Sequence, residues 1–522
     1  MFKKQAAVII AFLEQDNIGV GYIGAMLANE KQTVKIIDFR ANKKIILRNL
    51  LVYNPNIVGF SIIFQYHIYE FKELIDFLRK KGIRCHFTAG GHYPSLRYED
   101  TFRIIDQLDS IVLFEGEHTF LELVKKINEG KEWKYIQGIA YREGEKIFKN
   151  SLRPLEIDLD LFPPPVRQPL REYALCKKYA TLIAGRGCYY NCSFCSIRRF
   201  YSKPPGPIKR FRRPDMVVRE IELLYQQRNC SVFIFQDDDF PVIANKGEWI
   251  ADFCSLLHEK QLSEKIVWKI NCRSDEVEFD LFSLMKDAGL FLVYLGIESG
   301  TEEGLQLMNK RLKLSDNINA IEILKKLDIN YDYGFMLFEP SSTLDTVIEN
   351  LNFLDRICGD GSSPITFCKM LPYAETRIEE QLKEQGRLKG DLGFLDYDFL
   401  DNKLNLLCPF LINCFQSWLS DHNGLLNLSR WTRYYILIAG KFYLDEADTA
   451  YLRTKVNKIV AQSNVFFIST AKKAIWLMNQ NLDQEEEIRQ LYVMKKNVFE
   501  KHEVWKLELL NLMDTIKKKS LS

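Results

Sequence analysis

Short apolar, largely β-branched runs alternate along the first part of the chain with stretches whose apolar positions recur at helical spacing. Residues 8–12, 33–37, 57–63, 84–88 and 111–114 read as strands, and residues 69–79 and 118–127 as helices. Continuous apolar runs bounded by polar turns suit strands buried on both faces, as in a parallel sheet. Five such strands alternating with helices predict a doubly wound, flavodoxin-like or Rossmann-like domain over residues 1–150, with ligands at the carboxyl ends of the strands. Lys3, Lys4 and residues 6–13 imitate a short secretory leader. Glu14 and Asp16 follow with no small-residue cleavage pattern, so a buried first strand is the better reading.

The pattern then breaks. Residues 151–175 carry Pro154, Pro163, Pro164, Pro165 and Pro169 and read as an extended linker. Alternation resumes over residues 176–375. Strands are expected at 180–184, 232–235, 266–270, 290–295, 331–337 and 365–370, and helices at 215–227, 247–260 and 315–327. Six strand–helix repeats predict a partial (β/α)6, TIM-like barrel whose chemistry sits on loops after the strands. Residues 376–522 lose the strand signal and read as a mainly helical domain. Its last helix runs through Ile488, Leu491, Val498, Trp505, Leu509, Leu512 and Ile516. Trp418, Trp431, Tyr434 and Tyr435 there read as core rather than a substrate cage.

Composition narrows the classes. The chain has 522 residues, 47% hydrophobic and 27% charged, with 71 Lys+Arg against 69 Asp+Glu. Near-neutral charge gives no electrostatic case for nucleic acid or an anionic membrane. No apolar run approaches the ~18 residues of a membrane span. A cytoplasmic protein is expected.

Twelve cysteines carry the first chemical signal. Nine are scattered: Cys85, Cys176, Cys230, Cys254, Cys272, Cys358, Cys368, Cys408 and Cys414. Most of these read as small buried apolar residues. Cys188, Cys192 and Cys195 instead cluster in Gly185-Arg186-Gly187-Cys188-Tyr189-Tyr190-Asn191-Cys192-Ser193-Phe194-Cys195, just after an expected strand. An odd number in a large chain argues against disulfides. Structural zinc wants four closed ligands, and no fourth Cys or His is near. Three thiolates on an iron–sulfur cluster would leave one iron open at the top of a barrel, which is a catalytic arrangement.

This spacing and placement resemble the radical S-adenosylmethionine (SAM) superfamily. The resemblance implies a [4Fe–4S] cluster on Cys188, Cys192 and Cys195, with SAM chelated to the open iron, and Phe194 matches the family pattern. It places Asp237 and Asp238, in Phe235-Gln236-Asp237-Asp238-Asp239-Phe240, at the methionyl amino group. An acidic strand end alone is more often a cap or a solvated loop. Arg273, after Cys272, could pair a carboxylate bidentately. Gly296-Ile297-Glu298-Ser299-Gly300 is similar to the "GIESG" of the superfamily, which sets Glu298 at the ribose or amino group. Gly289 and Met308-Asn309-Lys310 complete the set. One departure is Leu371-Pro372-Tyr373-Ala374-Glu375-Thr376, where relatives often carry Gly before the Thr.

The domain ahead of the barrel makes the chain resemble the cobalamin-binding branch of that superfamily. The carrying residues are Val58-Gly59-Phe60-Ser61, Thr88-Ala89-Gly90-Gly91-His92 and Glu115-Gly116-Glu117. The resemblance implies that Ser61 faces the dimethylbenzimidazole and that Gly90, Gly91, Glu115 and Gly116 line the slot for the nucleotide tail. The His-bearing signature of His-on cobalamin proteins is missing from Asp16-Asn17-Ile18-Gly19. A cobalamin without an imidazole from that loop is therefore expected, with Phe64-Gln65-Tyr66-His67 beneath the corrin and His67 a lesser candidate ligand. The implied function is a cobalamin-dependent radical SAM methyltransferase. It would act on an unactivated carbon of a small molecule or peptide, through a 5′-deoxyadenosyl radical and methylcobalamin. An external flavodoxin- or ferredoxin-type electron donor is implied too. Cyclisation, rearrangement or oxidation with the same cofactors, and a non-catalytic cobalamin carrier, remain alternatives. No general acid or base is assignable.

Overall fold

A computed structural model describes residues 6–13, 16–480 and 484–521. The leader-like Lys3, Lys4 and Glu14 lie outside the described residues. The first sheet holds β1 (Ala7–Ala11), β2 (Val34–Asp38), β3 (Ile57–Ser61), β4 (His86–Gly90), β5 (Ser110–Val112), β6 (Ile139–Glu143) and β7 (Lys146–Lys149). Their order is β2-β1-β3-β4-β5-β6-β7. The first five are parallel. This is the flavodoxin-like order, with the switch point between β1 and β3. The antiparallel β6–β7 extension was not legible in the sequence, because Lys-Ile-Phe-Lys has only one half-buried residue among exposed ones. Helix Ile68–Lys80 covers one face with buried Phe71, Leu74, Ile75 and Leu78, which recur at helical spacing.

The proline-rich stretch is strapped down rather than loose. Val166 donates its amide to the Gly21 carbonyl at 3.0 Å. Arg167 is buried and pairs with Asp16 and, at 2.8 Å, with Glu220. The second large sheet follows: β8 (Glu172–Ala174), β9 (Lys177–Leu182), then, after a small pair β10 (Gly185–Arg186) and β11 (Arg210–Phe211), β12 (Cys230–Phe235), β13 (Val267–Cys272), β14 (Leu290–Glu298), β15 (Asn330–Phe338) and β16 (Cys368–Lys369). Its order is β16-β15-β14-β13-β12-β9-β8. Six strands run parallel and β8 closes one edge antiparallel. It is a curled, open half-barrel.

The C-terminal region holds long helices Leu425–Phe442, Glu446–Met478 and Gln484–Leu521. Val498, Trp505, Leu509, Leu512 and Ile516 are buried as the spacing predicts, whereas Ile488 is exposed. The short hairpin β17 (Leu388–Gly390) and β18 (Leu395–Tyr397) interrupts the helical expectation. Trp418 is buried in the core, and Tyr434 meets the barrel strands. Six of the nine scattered cysteines are buried, Cys85 is half-buried, and Cys176 and Cys368 are exposed. Among the described residues no helix is long and apolar enough to cross a membrane.

Candidate functional site

The carboxyl ends of β1, β3, β4 and β5 face the carboxyl ends of the half-barrel strands across a cavity of about 700 Å³. Its floor is Gly59, Ser61, Gly90, Gly91, Glu115 and Gly116, and its roof is Ile183, Gly185, Arg186, Phe200, Gln236 and Asp238. Glycines make the floor low. A Cβ on Gly90 would lie 3.3 Å from the Val112 carbonyl, and one on Gly59 3.2 Å from the Phe120 ring. Gly91 has φ of +108°, and a Cβ there would sit 2.5 Å from the Ile62 carbonyl, so only glycine fits without a shift. A wide apolar hollow cradled by close-packed backbone suits a large flat ligand such as a corrin with its tail.

Glu115 lines this cavity, but its carboxylate is already held by the barrel. Arg186 reaches it at 3.1 Å and Arg210 at 2.7 and 2.9 Å. Burial would raise its pKa, but the two guanidiniums outweigh it and hold the group below the usual carboxylate range. Arg186 also binds Glu117 at 2.7 Å, which makes a buried ion network the seam between the domains. Arg186 sits within the quoted cysteine motif. Arg210, far off in sequence, gave no signal.

The imidazole expectation meets a specific geometry. His67 is not a lining residue. Its ring packs on Phe12 with centroids 4.2 Å apart, and its Nδ1 is 3.1 Å from Glu70. Gln65 turns toward the barrel and accepts from the Ala374 amide at 2.9 Å. Asn17 caps helix Ile18–Asn29. His92, missed as a site residue, lines the cavity and stacks flat on Phe200 at 4.0 Å; burial drives its pKa down to about 4, so the ring is neutral.

The three clustered cysteines share the loop between β10 and helix Ile197–Ser202. Burial pushes Cys188 and Cys195 up to about 12, and Cys192 also upward; proximity to Cys195 adds to the rise at Cys188, as Cys192 does at Cys195. Among the described residues no trio of ligating side chains is close enough to grip one metal ion as it stands. Three thiolates without a fourth Cys or His nearby in the sequence leave one iron of a cubane cluster open, whereas structural zinc is closed by four ligands, so the chemistry of the donor set suits a cluster. The loop is pinned from outside. The Ser193 amide donates to the Met308 carbonyl at 2.9 Å, its hydroxyl to the Leu307 carbonyl at 2.7 Å, and Asn309 to the Asn191 carbonyl at 2.7 Å. Phe194 packs half-buried against the barrel core.

The acidic strand end divides its labour. Asp237 accepts from the Ala184 and Gly185 amides at 2.6–3.1 Å. Both its oxygens thus help tie the end of β9 to the end of β12. Burial lifts its pKa to about 7. Asp238 accepts from Gly187 at 3.1 Å and borders the cavity. Asp239, not anticipated, pairs with Lys209 at 3.6 Å and keeps one buried oxygen without a hydrogen-bond partner. Arg273 is largely engaged within the chain. Its bidentate face is taken by Asp275 at 2.9 and 3.1 Å, and Tyr190 stacks on it at 3.6 Å. Only its buried Nη1 lacks a partner. Glu298 ends β14 with φ of +66° and meets Lys310 at 3.3 Å. Gly300 is obligatory, since a Cβ there would lie 2.4 Å from Phe353. Where relatives often carry glycine, Glu375 adopts φ of +63°, held by Lys203 at 2.7 Å and by its amide to Glu379 at 2.7 Å.

Comparison with known proteins agrees with this geometry. The B12 binding domain family matches residues 6–124 and the Radical SAM superfamily matches residues 182–354. The chain is 27% identical over 369 residues to an uncharacterized methyltransferase, PH0819, of Pyrococcus horikoshii, covering 70% of this chain and 77% of that protein. It is 29% identical to an anaerobic magnesium-protoporphyrin IX monomethyl ester cyclase of Rubrivivax gelatinosus, of whose length it spans about half (53%), covering 56% of this chain. It is 26% identical to hopanoid C-3 methylase of Methylococcus capsulatus, over 61% of this chain and 60% of that one. In fold it resembles the cobalamin-dependent SAM radical enzyme OxsB solved with aqua-cobalamin and SAM (TM-score 0.69, 18% identity, 98% of this chain and 80% of that one). It also resembles the methyltransferase TsrM from Kitasatospora setae (TM-score 0.63, 15% identity, 90% and 95%).

The two domains define a radical SAM enzyme with a B12-binding domain in front of it. The chain belongs to the cobalamin-binding radical SAM family, and its cofactors are a [4Fe–4S] cluster, SAM and cobalamin.

Proposed function

We propose that this enzyme is a methyltransferase that adds a methyl group to an unactivated carbon of a small molecule or peptide. The observation that supports the reading is that the segment carrying the three cysteines also borders the cavity. Arg186 roofs the cavity two residues before Cys188, and Phe200 roofs it five residues after Cys195. When bound, the cluster and SAM supply a hydrogen-abstracting radical and cobalamin supplies the methyl group.

The protein's own residues do the positioning. Cys188, Cys192 and Cys195 would hold the cluster. Lys310, Glu298 and the free Nη1 of Arg273 would offer opposite charges to the polar ends of SAM. Asp238 would face the space between the two cofactors. Gly59, Ser61, Gly90, Gly91 and Gly116 would cradle the corrin tail, and the Arg186–Glu115–Arg210 network would keep the domains closed against water and oxygen. Nine unpaired cysteines beside the three proposed cluster ligands, and an oxygen-sensitive cluster, suit a reducing, cytoplasmic setting. A flavodoxin- or ferredoxin-type donor would supply the electron.

The test is an anaerobic assay with reductant and candidate substrates. Methylation yields both 5′-deoxyadenosine and S-adenosylhomocysteine, with a product heavier by one methyl group. The likeness to the Rubrivivax gelatinosus cyclase favours a second reading, a ring-forming or oxidative reaction. That reaction yields 5′-deoxyadenosine with no methyl gain. A non-catalytic carrier would yield neither and would be indifferent to Cys→Ala at the triplet.

A further inference from the structure

The inner strands of the half-barrel carry a few accessible residues, each flanked by buried neighbours. The accessible set is Ile234 on β12, Lys269 and Asn271 on β13, Tyr294, Gly296 and Glu298 on β14, and Asn330 and Gly334 on β15. These residues line the barrel's lumen. Register places Asn271 beside Tyr294 and Tyr294 beside Asp332. Tyr294 is 36% exposed, and burial pushes its hydroxyl up to about 12. Two glycines keep the lumen open. A Cβ on Gly334 would lie 3.0 Å from the Tyr294 hydroxyl and 3.3 Å from a Glu298 oxygen. One on Gly296 would lie 2.7 Å from the Lys310 ammonium. The upper wall of the chamber is therefore the Glu298–Lys310 pair, next to the cysteine loop.

The floor is contributed by helix Leu425–Phe442 of the C-terminal region. Arg430 stands 3.5 Å from Asp332, and the Tyr434 hydroxyl donates to that carboxylate. Arg433 is buried, donates to Asn330 at 2.8 Å, and leaves its Nη1 without a hydrogen-bond partner, as Arg430 leaves its Nε. Lys269 donates to Asn271 at 2.8 Å, and among the described residues no ion pair includes it. Burial draws its pKa down to about 8, with Asp332 opposing and Arg430 reinforcing the shift. Lys269 and Arg430 thus share the one carboxylate of Asp332, and Arg433 sits two residues along the same strand on Asn330. Buried excess charge is costly unless a counter-charge joins it.

We propose that the floor of this lumen, built by Lys269 and Arg430 around Asp332 with Arg433 beside them on Asn330, binds an oxyanion at one end of the substrate, a carboxylate or a phosphate, so that the reacting carbon points up the barrel toward Glu298 and the cofactor cavity. The proposal rests on the functional reading above for its orientation and on the charge count for its chemistry. It gives the C-terminal region a role as the floor of the substrate site.

The test uses the reconstituted holoenzyme with SAM bound. Equilibrium dialysis measures inorganic phosphate and acetate separately at fixed ionic strength. Saturable binding of either probe is expected, and which probe binds decides between phosphate and carboxylate. Lys269→Met should weaken that binding about tenfold or more, and Lys269→Arg should retain it. Gly334→Val, which crowds Tyr294 and Glu298 but leaves Lys269, Arg430 and Arg433 in place, should weaken it too. Melting temperature and iron content establish that each variant is folded and loaded. Binding of neither probe, or binding unchanged in both Lys269→Met and Gly334→Val, overturns the proposal. SAM cleavage without substrate is measured alongside on the wild-type enzyme. Cleavage with no probe bound sinks the anion site alone. A Lys269-dependent site with no cleavage supports the anion site and sinks the radical reading.

Discussion

Arg186→Met tests whether the buried ion network holds the two halves of the cofactor chamber together. Among the described ion pairs Glu117 has Arg186 alone, at 2.7 Å, and its side chain is 6% exposed. Glu115 keeps Arg210 at 2.7 and 2.9 Å after the change. The loss is therefore dominated by one stranded carboxylate, which costs about 3–5 kcal/mol when a buried pair is broken from one side. For a domain of this size about 1 kcal/mol moves the melting temperature by roughly 2–4 °C, so the first calorimetric transition should fall by on the order of 10 °C. Adding Glu117→Gln removes the stranded charge, and the double variant should recover more than half of the loss. Cobalamin affinity should follow the same order, since Arg186 roofs the cavity. A fall of less than about 2 °C, or a double variant no more stable than the single one, would refute the reasoning.

Further outcomes follow from single residues. Gly91→Ala, at φ of +108° and 2.5 Å from the Ile62 carbonyl, should destabilise the first domain by about 1–3 kcal/mol in denaturant titration and weaken cobalamin binding. Replacing Cys188, Cys192 or Cys195 by Ala should remove the cluster, read as iron content, and with it all 5′-deoxyadenosine. Lys269 is held at about 8, below the 10.5 of an unfolded lysine. Its charge therefore opposes folding fully below pH 8, and that penalty fades as pH rises toward 10.5. Lys269→Met should then be more stable than wild type at pH 7 by about 3 kcal/mol, with the gap closing near pH 10. Cob(II)alamin in the enzyme should show no imidazole nitrogen splitting by electron paramagnetic resonance. A splitting that vanished in His92→Ala would reassign the lower ligand to the residue stacked on Phe200.

The strands of both sheets were readable because parallel strands buried on both faces are continuous apolar runs, as Ala7–Ala11 and Cys230–Phe235 show. The hairpins β6–β7 and β17–β18 were not, since edge strands such as Leu388–Gly390 are solvated and lose the period. Spacing alone exposed Cys188, Cys192 and Cys195, and glycines at strand ends exposed the cavity floor. Partnerships made by folding stayed hidden. The backbone amides of Ala184 and Gly185 on Asp237, and Asp275 on Arg273, could not be read from the sequence. Lys269, Asp332 and Arg430 come from two strands and a distant helix, so no local pattern could join them.

Anaerobic reconstitution followed by metal, sulfide and corrin analysis tests the central claim most directly. The account predicts about four irons, about four acid-labile sulfides and about one cobalamin per chain, with the iron lost in Cys195→Ala and the corrin retained. Colourless protein, or zinc in place of iron, would contradict it.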